Sequence, residues 1–517
     1  MDRSARLSLQ GIILLVILTS AVLRFLLLFN KTFDNDELQN LHNAWMLTHG
    51  FIPYVDFWED RGPLLMIMLS PFARMFGESV VYLFAGRLIV SCASIAVFVM
   101  VFRLARTIGN IYSSIFAIFF LSLELLFLYR TVEVRHDQMS LVVWLLGIWV
   151  LIRSLQGSSL RGYGLSGLSI GAGLLFSPKA LFGIASLGLA LVLAIRVQRA
   201  GLKSSKVFGP LATFAVGAAL PLGVLTLGLS LLGGARAFWQ QVFLESFFWP
   251  REGIQYSRLG LWMISFNAAP MFWVSCICGL ILALISLRQA SDQDRIPLIV
   301  LSVSALVAGL TFVLFLPDVQ PHQLMPVIAL FAIFAGRFGQ WLLEAITRQS
   351  DPLIRGGLTL GLALILAIGS FQALANISKA LNPLRRSNLE QLAFIQKILA
   401  MTKRSDSILD GNAAYIFRPQ ASFYGALANA VRFRIKSGDL KFDIPEKCSG
   451  DRCQVVIMDR RLLDMPQPVL DFIRRNYSPS PVKGVYFRIS PPSAGVPGLA
   501  SRSRGVTSGA PSPILGR

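Results

Sequence analysis

Long apolar runs separated by short polar segments fill the first three quarters of this 517-residue chain. A helix needs about 20 apolar residues to cross the hydrocarbon core of a bilayer, and runs of about that length recur here. The apolar run at residues 62–76 is too short to cross alone and contains two prolines, which favours an interfacial or re-entrant helix. We predict about eleven membrane spans, at residues 8–29, 79–104, 111–129, 138–154, 163–177, 180–196, 207–232, 261–287, 296–316, 322–342 and 356–378.

The first apolar run has two interpretations. Arg3 and Arg6 precede it, as basic residues precede the apolar core of a secretory signal peptide. No small-residue cleavage site follows the run, however, and Arg24 interrupts its apolar core. These features favour a retained membrane span over a cleaved leader.

The pattern changes after about residue 385. Helical periodicity at residues 388–401 and 466–476 alternates with strand-like segments at 407–409, 454–459 and 485–489. The predicted fold is therefore an α-helical polytopic membrane protein with a long first outer loop and a small C-terminal α/β domain. The predicted parts are a transmembrane domain at residues 1–380 with its outer loop at 30–78, an extracytoplasmic α/β domain at 381–490, and a disordered Ser-, Pro- and Gly-rich tail at 491–517.

Composition and charge agree with a membrane protein. Hydrophobic residues make up 54% of the chain and charged residues 15%, whereas soluble domains average about 25% charged residues. The formal net charge is +20, but the basic residues lie largely at span ends and in the tail. Anionic lipid head groups and anionic lipid-linked substrates are therefore the expected partners, and the absence of a basic helix or an aromatic RNA motif argues against nucleic acid.

The distribution of basic residues also predicts the orientation. Lys and Arg are denser in the segments on the same side as the N-terminus, which places that side in the cytoplasm. We therefore expect a multi-pass protein of the inner (plasma) membrane, with loop 30–78 and the C-terminal domain outside the cytoplasm. In that compartment Cys448 and Cys453, which flank a four-residue polar segment, could form a disulfide.

Ionisable side chains concentrate in the first outer loop. A carboxylate at low dielectric can accept a proton from an attacking hydroxyl, and Asp34, Asp36 and Asp56 together could hold a divalent cation such as Mg²⁺ or Mn²⁺. The alternative is a solvated loop whose acids cap the helix that follows. The charged residues of this loop include Asp34, Asp36, Glu37, Asp56, Glu59, Asp60 and Arg61.

A second set of polar groups lies at the ends of later spans. Charges at a span boundary are costly when they face lipid, so these groups can instead line a site. Helix capping by Asp137 and snorkelling by Lys179 are the alternatives. Aromatic residues of the first loop, such as Tyr54 and Trp58, either anchor the loop at the interface or stack against a sugar or lipid. The polar groups of this second set are Arg130, Glu133, Arg135, His136, Asp137, Lys179 and His322.

An ordered set of short motifs resembles a known family. The chain is similar to the membrane glycosyltransferases of the C superfamily, and within it to the protein-mannosyltransferase-like group (glycosyltransferase family 39 type) that includes lipid A aminoarabinose transferases and rhizobial core galacturonosyltransferases. The later Arg135-x-Asp137 pair, Lys179 and the stretch 321–326 fit the same pattern. The matching motifs are Asp36-Glu37, Gly50, Pro53-Tyr54-Val55-Asp56, Arg61-Gly62-Pro63-Leu64, Gly77-Glu78-Ser79 and Gly86-Arg87-Leu88.

The resemblance implies inverting transfer of a sugar from a polyprenyl-phosphate donor to an envelope glycan, lipid or protein, at the outer face of the membrane. It implies Asp36 as the catalytic acid/base and Arg61 as a contact of the donor phosphate. We expect Glu37 to be catalytic together with Asp36. Many relatives have Lys-Pro-Pro where this chain has Arg61-Gly62-Pro63. We expect Arg135 and Lys179 to join Arg61 at the phosphate. The expected roles of four further residues are in sugar binding, acceptor binding or structure: Tyr54, Asp56, Asp137 and His322.

A transporter or flippase for lipid-linked saccharides is the main alternative. Transporters usually keep functional charges near the bilayer midplane, whereas most charges of this chain lie at one water-facing end. This distribution favours a transferase. The sequence leaves the sugar, the acceptor and a metal requirement open.

Overall fold

The computed structural model describes residues 3–198, 205–248, 257–314, 320–385, 387–412, 416–425, 427–441, 444, 448 and 453–489. Over these residues the chain forms a polytopic helical bundle followed by a small unit with a four-stranded sheet, which confirms the predicted fold class. The predicted tail at 491–517 lies outside the described residues.

The bundle consists of helices that differ widely in length. A π-helix at Trp239–Glu245 and a 3₁₀-helix at Pro321–Leu324 interrupt the α-helices. The α-helices are α1 Arg3–Asn30, α2 Asn35–Thr48, α3 Leu64–Phe76, α4 Val81–Ile108, α5 Ile111–Leu123, α6 Leu125–Arg130, α7 His136–Gly157, α8 Leu160–Leu174, α9 Ala180–Gln198, α10 Ser205–Leu231, α11 Ala235–Phe238, α12 Ser246–Phe248, α13 Arg258–Ala268, α14 Pro270–Ser286, α15 Asp292–Leu314, α16 Met325–Arg348 and α17 Pro352–Arg385.

Eight helices of the described chain are long and apolar enough to cross a membrane, or nine if the bent pair α13 and α14 is one span. Two of the predicted spans are not among these helices, because α5 and α8 have only 13 and 15 residues. The run at 111–129 is divided into α5 and α6 at Glu124, whose carboxylate caps α6 by accepting from the backbone N–H of Phe127. The run at 163–177 becomes α8, which ends at Leu174. The short helix expected within 62–76 is α3.

Glycine allows α8 and α10 to pack in close contact. A Cβ atom on Gly167 would lie 2.0 Å from the carbonyl oxygen of Phe214, and one on Gly171 would lie 2.3 Å from that of Ala218. On the facing helix, a Cβ on Gly217 would lie 2.1 Å from a backbone oxygen of α8. Small residues at such contacts let helix backbones approach each other within a membrane, where packing rather than the hydrophobic effect drives association.

The C-terminal unit is built around a mixed sheet in the order β1-β2-β4-β3. β1 runs parallel to β2, and β4 pairs antiparallel with both β2 and β3. The strands and helices expected from the sequence are present, and β3 is an additional edge strand. The elements are α18 Leu389–Met401, β1 Ser407–Asp410, α19 Asn429–Ser437, β2 Cys453–Ile457, α20 Arg460–Leu463, α21 Gln467–Asn476, β3 Tyr477–Pro479 and β4 Val485–Arg488.

The C-terminal unit docks onto the polar end of the bundle. Asn35 at the start of α2 donates to Asn412 Oδ1 at 2.7 Å, and His42 Nδ1 lies 2.9 Å from the carbonyl oxygen of Ile416. The backbone N–H of Trp58 in the first loop donates to the carbonyl oxygen of Phe423 at 2.8 Å. The sheet unit therefore covers the same loops in which the sequence concentrates its carboxylates.

The two C-terminal cysteines lie next to each other. Cys448 and Cys453 are both buried, and a hydrogen bond between their side chains, together with burial, raises the pKa of the Cys448 thiol. This proximity is compatible with the predicted disulfide, which stays a prediction.

Candidate active site

The first turn of α2 presents the predicted catalytic residues. Asp34 caps the helix by accepting from the backbone N–H of Asp36, and Glu37 returns a bond to the backbone N–H of Asp34. This reciprocal capping box fixes the helix start immediately after α1. Asp36 and Glu37 are neighbours in one turn, so their side chains leave the helix in different directions.

Asp36 is held by two arginines from distant parts of the chain. Its Oδ2 atom lies 2.6 Å from Arg135 Nη2 and 3.5 Å from Arg61 Nη2. Arg135 is buried at the N-terminus of α7, and its guanidinium also lies 3.4 Å from Asp34. The structure thus brings together four of the predicted site residues, with Asp36 contacting both arginines and Arg135 contacting both aspartates.

These contacts shift the pKa values of the two neighbouring carboxyl groups in opposite directions. Burial raises the pKa of Asp36, but the charges of Arg135 and Arg61 lower it more, so its pKa lies well below the usual range. The pKa of neighbouring Asp34 is raised, mainly by burial and by the charge of Asp36. Burial lowers the pKa of Arg135, while Asp36 and the other nearby carboxylates raise it more. Asp36 is therefore the more acidic of the two carboxyl groups.

Glu37 faces the protein interior. Both of its oxygens accept from Arg87, with Nε and Nη2 each at 2.9 Å, and neither side chain is exposed. The same carboxylate accepts from the backbone N–H groups of Asp34 and Val134. Every oxygen of Glu37 is thus occupied by a fixed donor. This geometry supports a positioning role for Glu37 rather than contact with a substrate.

A second buried ion pair supports the segment before Arg135. Glu133 forms ion pairs with Lys31 and with Arg130, the latter at 2.8 Å. Although burial raises the pKa of Glu133, these cations and Arg135 lower it more. The Lys31 ammonium also lies 3.8 Å from the centre of the Tyr129 ring. These contacts attach the segment carrying Arg135 to the end of α1.

Asp137 connects the arginine site to a second cation. Its Oδ1 lies 3.2 Å from Lys179 Nζ, and its Oδ2 lies 3.7 Å from His322 Nε2 and 3.8 Å from Arg135 Nε. His322 Nδ1 is 3.1 Å from Arg135 Nη2. The four predicted residues Arg135, Asp137, Lys179 and His322 therefore form one continuous network with Asp36.

A cavity opens from this network into the helix bundle, between α7, α9, α15 and α16. Asp137 and Lys179 line its polar end. The rest of the wall is largely apolar, because α7, α9, α15 and α16 supply hydrophobic side chains. Its apolar lining includes Leu141, Trp144, Phe182, Phe312, Pro326 and Val327.

Tyr54 and Asp56 shape the first loop. Tyr54 has a positive φ of 69° and donates through its hydroxyl to the carbonyl oxygen of Arg61 at 2.8 Å. Asp56 is exposed and accepts from the backbone N–H of Ile52 at 2.7 Å. Tyr54 thereby supports the backbone that presents Arg61, and Asp56 closes the turn before it.

The π-helix at Trp239–Glu245 clamps this loop. Gln241 accepts from the backbone N–H of Glu59 at 3.1 Å and donates to the carbonyl oxygen of Tyr54 at 2.8 Å. Glu245 accepts from the indole N–H of Trp58 at 2.9 Å. These contacts fix the π-helix to the first loop.

The predicted metal set does not fit the geometry. Asp34 and Asp36 face arginines, whereas Asp56 bonds within its own turn. No group of three or more His, Cys, Asp or Glu side chains suited to a metal ion occurs in the described part of the chain. We therefore assign no step to a divalent cation.

Arg87 is a site-supporting residue to which the sequence assigned no role. An arginine in the interior of the apolar run 79–104 is itself a signal, because a buried cation needs an acidic partner, but the partner is not readable from the sequence. Arg461 of α20 likewise gave no signal in the sequence. Burial raises the pKa of Asp36, and the charge of Arg461 helps to lower it, although less than Arg135 and Arg61 do.

Comparison with known proteins agrees with this arrangement. Residues 60–224 match the family described as dolichyl-phosphate-mannose-protein mannosyltransferase. No curated protein matches the chain. The family match confirms the resemblance predicted from the sequence motifs.

Several solved structures share the fold. ArnT from Cupriavidus metallidurans in the apo state aligns with a TM-score of 0.56 and 15% identity over 80% of this chain and 86% of that chain. The same protein bound to undecaprenyl phosphate aligns with a TM-score of 0.56 and 16% identity over 83% and 88%. An apo oligosaccharyltransferase from Archaeoglobus fulgidus aligns with a TM-score of 0.55 and 12% identity over 87% and 69%.

Proposed function

Because this chain has the fold of the C-superfamily membrane glycosyltransferases, we propose that it transfers a sugar from a polyprenyl-phosphate donor to a cell-envelope acceptor. The observation that carries the proposal is the cavity that joins an apolar wall to Lys179 and Asp137, beside the Asp36–Arg135 pair. A polyprenyl-phosphate sugar has the same polarity, with an apolar chain at one end and an anion at the other. The undecaprenyl phosphate bound to a protein of the same fold supports this assignment.

The cations of the network would hold the donor phosphate. Lys179 stands at the polar end of the cavity, with its side chain 35% exposed, and Asp137 links it to Arg135. Arg61 approaches the same carboxylate as Arg135. Arginine presents paired N–H groups to phosphate oxygens, and lysine contributes a point charge. Together they stabilise the charge that develops on a leaving phosphate.

Asp36 would accept the acceptor's proton. The acceptor hydroxyl oxygen forms a bond to the anomeric carbon, and the bond from that carbon to the phosphate oxygen breaks. The polyprenyl phosphate leaves with the bonding electron pair, while the hydroxyl proton moves to the Asp36 carboxylate. One displacement of this kind inverts the anomeric configuration. Catalysis then rests on position and charge rather than on a covalent intermediate.

The depressed pKa of Asp36 constrains the timing of this proton transfer. A weakly basic carboxylate takes a proton from a hydroxyl only as the new glycosidic bond makes that proton acidic. A donor phosphate that draws Arg61 and Arg135 towards itself would also reduce the positive charge acting on Asp36. The base would therefore become stronger when the donor is bound.

Glycolipid and glycan mass spectrometry on membranes from cells lacking this chain tests the proposal. We expect one sugar to disappear from an envelope product and its polyprenyl-phosphate donor to accumulate. The wild type should restore the product, and Asp36→Asn should not. Asp471→Asn is a matched control, because Asp471 lies on α21 with a 39% exposed side chain and should rescue fully.

Two outcomes would contradict the proposal. Full rescue by Asp36→Asn at equal protein level would remove the assigned base. Accumulation of a finished lipid-linked saccharide at the cytoplasmic face would instead indicate a transporter or flippase, the alternative left open by the sequence.

A further inference from the structure

The C-terminal unit contacts the residue next to the proposed base. Asn35 immediately precedes Asp36 in α2, and its side-chain amide donates to Asn412 Oδ1 at 2.7 Å. Asn412 follows β1, where its backbone N–H donates to Asp410 Oδ1 at 2.6 Å. The loop after β1 is therefore held against the first turn of α2.

Arg461 is packed against the same loop. Its Nη1 atom donates to the carbonyl oxygen of Gly411 at 3.2 Å. A Cβ atom on Gly411 would lie only 2.7 Å from Cβ of Arg461, which shows how closely the two backbones approach. Asp459 reinforces the contact, because its Oδ2 accepts from the backbone N–H of Gly411 at 3.0 Å. The position of Arg461 relative to α2 is thus fixed through Gly411 and Asn412.

Arg461 forms no ion pair with another described residue. The nearby carboxylate of Asp459 is used by backbone N–H groups, those of Gly411 and Leu462. Arg461 is half-buried and forms one hydrogen bond in the described part of the chain, so guanidinium donors remain for a ligand. Its charge also acts on Asp36. Burial raises the pKa of Asp36, and the surrounding cations lower it, with Arg135 contributing most and Arg461 contributing less.

Arg461 is separate from the groups that face the donor chain. In the described structure, the cavity is lined by residues of the bundle alone, with Lys179 as its cation. Arg461 instead comes from the soluble unit, beside the turn that carries Asp36. A cation there can meet a substrate that arrives from the aqueous side.

We propose that Arg461 binds an anionic group of the acceptor, a phosphate or a carboxylate, and so places the acceptor hydroxyl against Asp36. This inference rests on the proposed transferase function and gives the C-terminal unit a direct part in acceptor choice. Acceptors that lack the anion are poor substrates. Arg461 contacts substrate but exchanges no proton or bond with it.

The test uses full-length protein in membranes and two fractions from the deletion strain. The accumulated polyprenyl-phosphate sugar is the donor, and the unmodified envelope fraction is the acceptor. Each is titrated against wild type, Arg461→Gln, Arg461→Lys and Arg460→Gln. Arg460 is the matched control, because it precedes Arg461 in α20, is exposed, and loses the same charge.

We expect Arg461→Gln to raise the half-saturating amount of acceptor about tenfold, equivalent to about 1.4 kcal/mol, with the donor value unchanged. Arg461→Lys should recover most of this loss, and Arg460→Gln should match the wild type. Phosphatase treatment of the acceptor, or carbodiimide amidation of its carboxylates, should reproduce the loss with wild type and add nothing with Arg461→Gln. Whichever treatment acts identifies the anion.

Other results would overturn the inference. If Arg461→Gln leaves the half-saturating amount of acceptor unchanged, or changes only that of the donor, Arg461 does not bind the acceptor. The transferase function would still stand. A loss that Arg461→Lys and Arg461→Gln share equally, together with a lower unfolding temperature, assigns Arg461 a purely structural role. If wild-type protein transfers no sugar, the proposed function fails and this inference fails with it.

Discussion

Replacing Glu37 by glutamine separates a structural role from a catalytic one. The two oxygens of Glu37 accept four hydrogen bonds, two from Arg87 and one each from the backbone N–H groups of Asp34 and Val134. A glutamine side chain keeps only one of these two oxygens. Its NH₂ group is itself a donor and would face the N–H groups that donated to the lost oxygen. Arg87 would then remain buried without a counter-charge.

The size of the effect follows from the burial of this pair. Arg87 keeps its bonds to the carbonyl oxygens of Leu28, Lys31 and Thr32, so part of its hydrogen bonding survives. Loss of one partner of a buried ion pair typically costs about 3–5 kcal/mol. We expect Glu37→Gln to lower the free energy of unfolding by about that amount. Activity per folded molecule should fall far less than in Asp36→Asn.

Thermal unfolding of the purified protein and sugar transfer by the folded fraction provide the two readouts. Glu344→Gln is the control, because Glu344 is only half-buried, its partner Arg348 is exposed, and a glutamine keeps an oxygen for Gln340 and Asn110. This change should cost at most about 1 kcal/mol. A Glu37→Gln protein that is as stable as the wild type but inactive would refute the reasoning. It would make Glu37 a catalytic residue.

Four further predictions follow from the same geometry. Lys179→Met should raise the half-saturating donor concentration about tenfold while Lys179→Arg retains donor binding, as donor titration would show. Burial raises the pKa of Glu59 to about 8, so stability should fall as pH rises from about 4.5 to 8, and Glu59→Gln should abolish this trend in unfolding temperatures. Gly62→Ala would place a Cβ 2.2 Å from the carbonyl oxygen of Leu175, which should cost about 1–3 kcal/mol of stability in thermal unfolding. Since the pKa of Asp36 is depressed, Asp36 should stay ionised between pH 7 and pH 5, and its protonation should not lower kcat/KM in that range. A fall in kcat/KM near pH 6 that persists when each other carboxyl group of the site is replaced would contradict this assignment.

The sequence predicted the parts of the fold that depend on local pattern. Apolar run length identifies the long spans, and short strand-like segments between polar residues identify three of the four strands. Run length does not show that the run 111–129 is divided at Glu124. That break depends on the extended backbone of Glu124 and on its side chain capping α6, which the length of an apolar run does not encode. The short strand β3 is likewise defined by its pairing with β4 rather than by its own composition.

The sequence singled out many residues of the candidate site, but it did not indicate which of them contact each other. Asp36, Arg61, Arg135 and Lys179 were expected, and the structure joins them in one network. The roles of other residues depend on contacts between distant positions. Glu37 meets Arg87, 50 residues away. The contact that brings the C-terminal unit to α2 joins residues 377 positions apart, for which one sequence gives no signal.

In the proposed mechanism, the placement of Arg135 links donor binding to the strength of Asp36 as a base. The same guanidinium lies 2.6 Å from Asp36 and, through Asp137, is connected to Lys179 at the polar end of the cavity. A phosphate entering beside Lys179 competes with Asp36 for Arg135 and weakens the attraction that keeps the pKa of Asp36 low. Without the donor, Asp36 is a poor base held in an ion pair, so an acceptor hydroxyl gains little by binding first. In the proposed mechanism the donor must therefore occupy the site before Asp36 becomes competent to take the acceptor's proton.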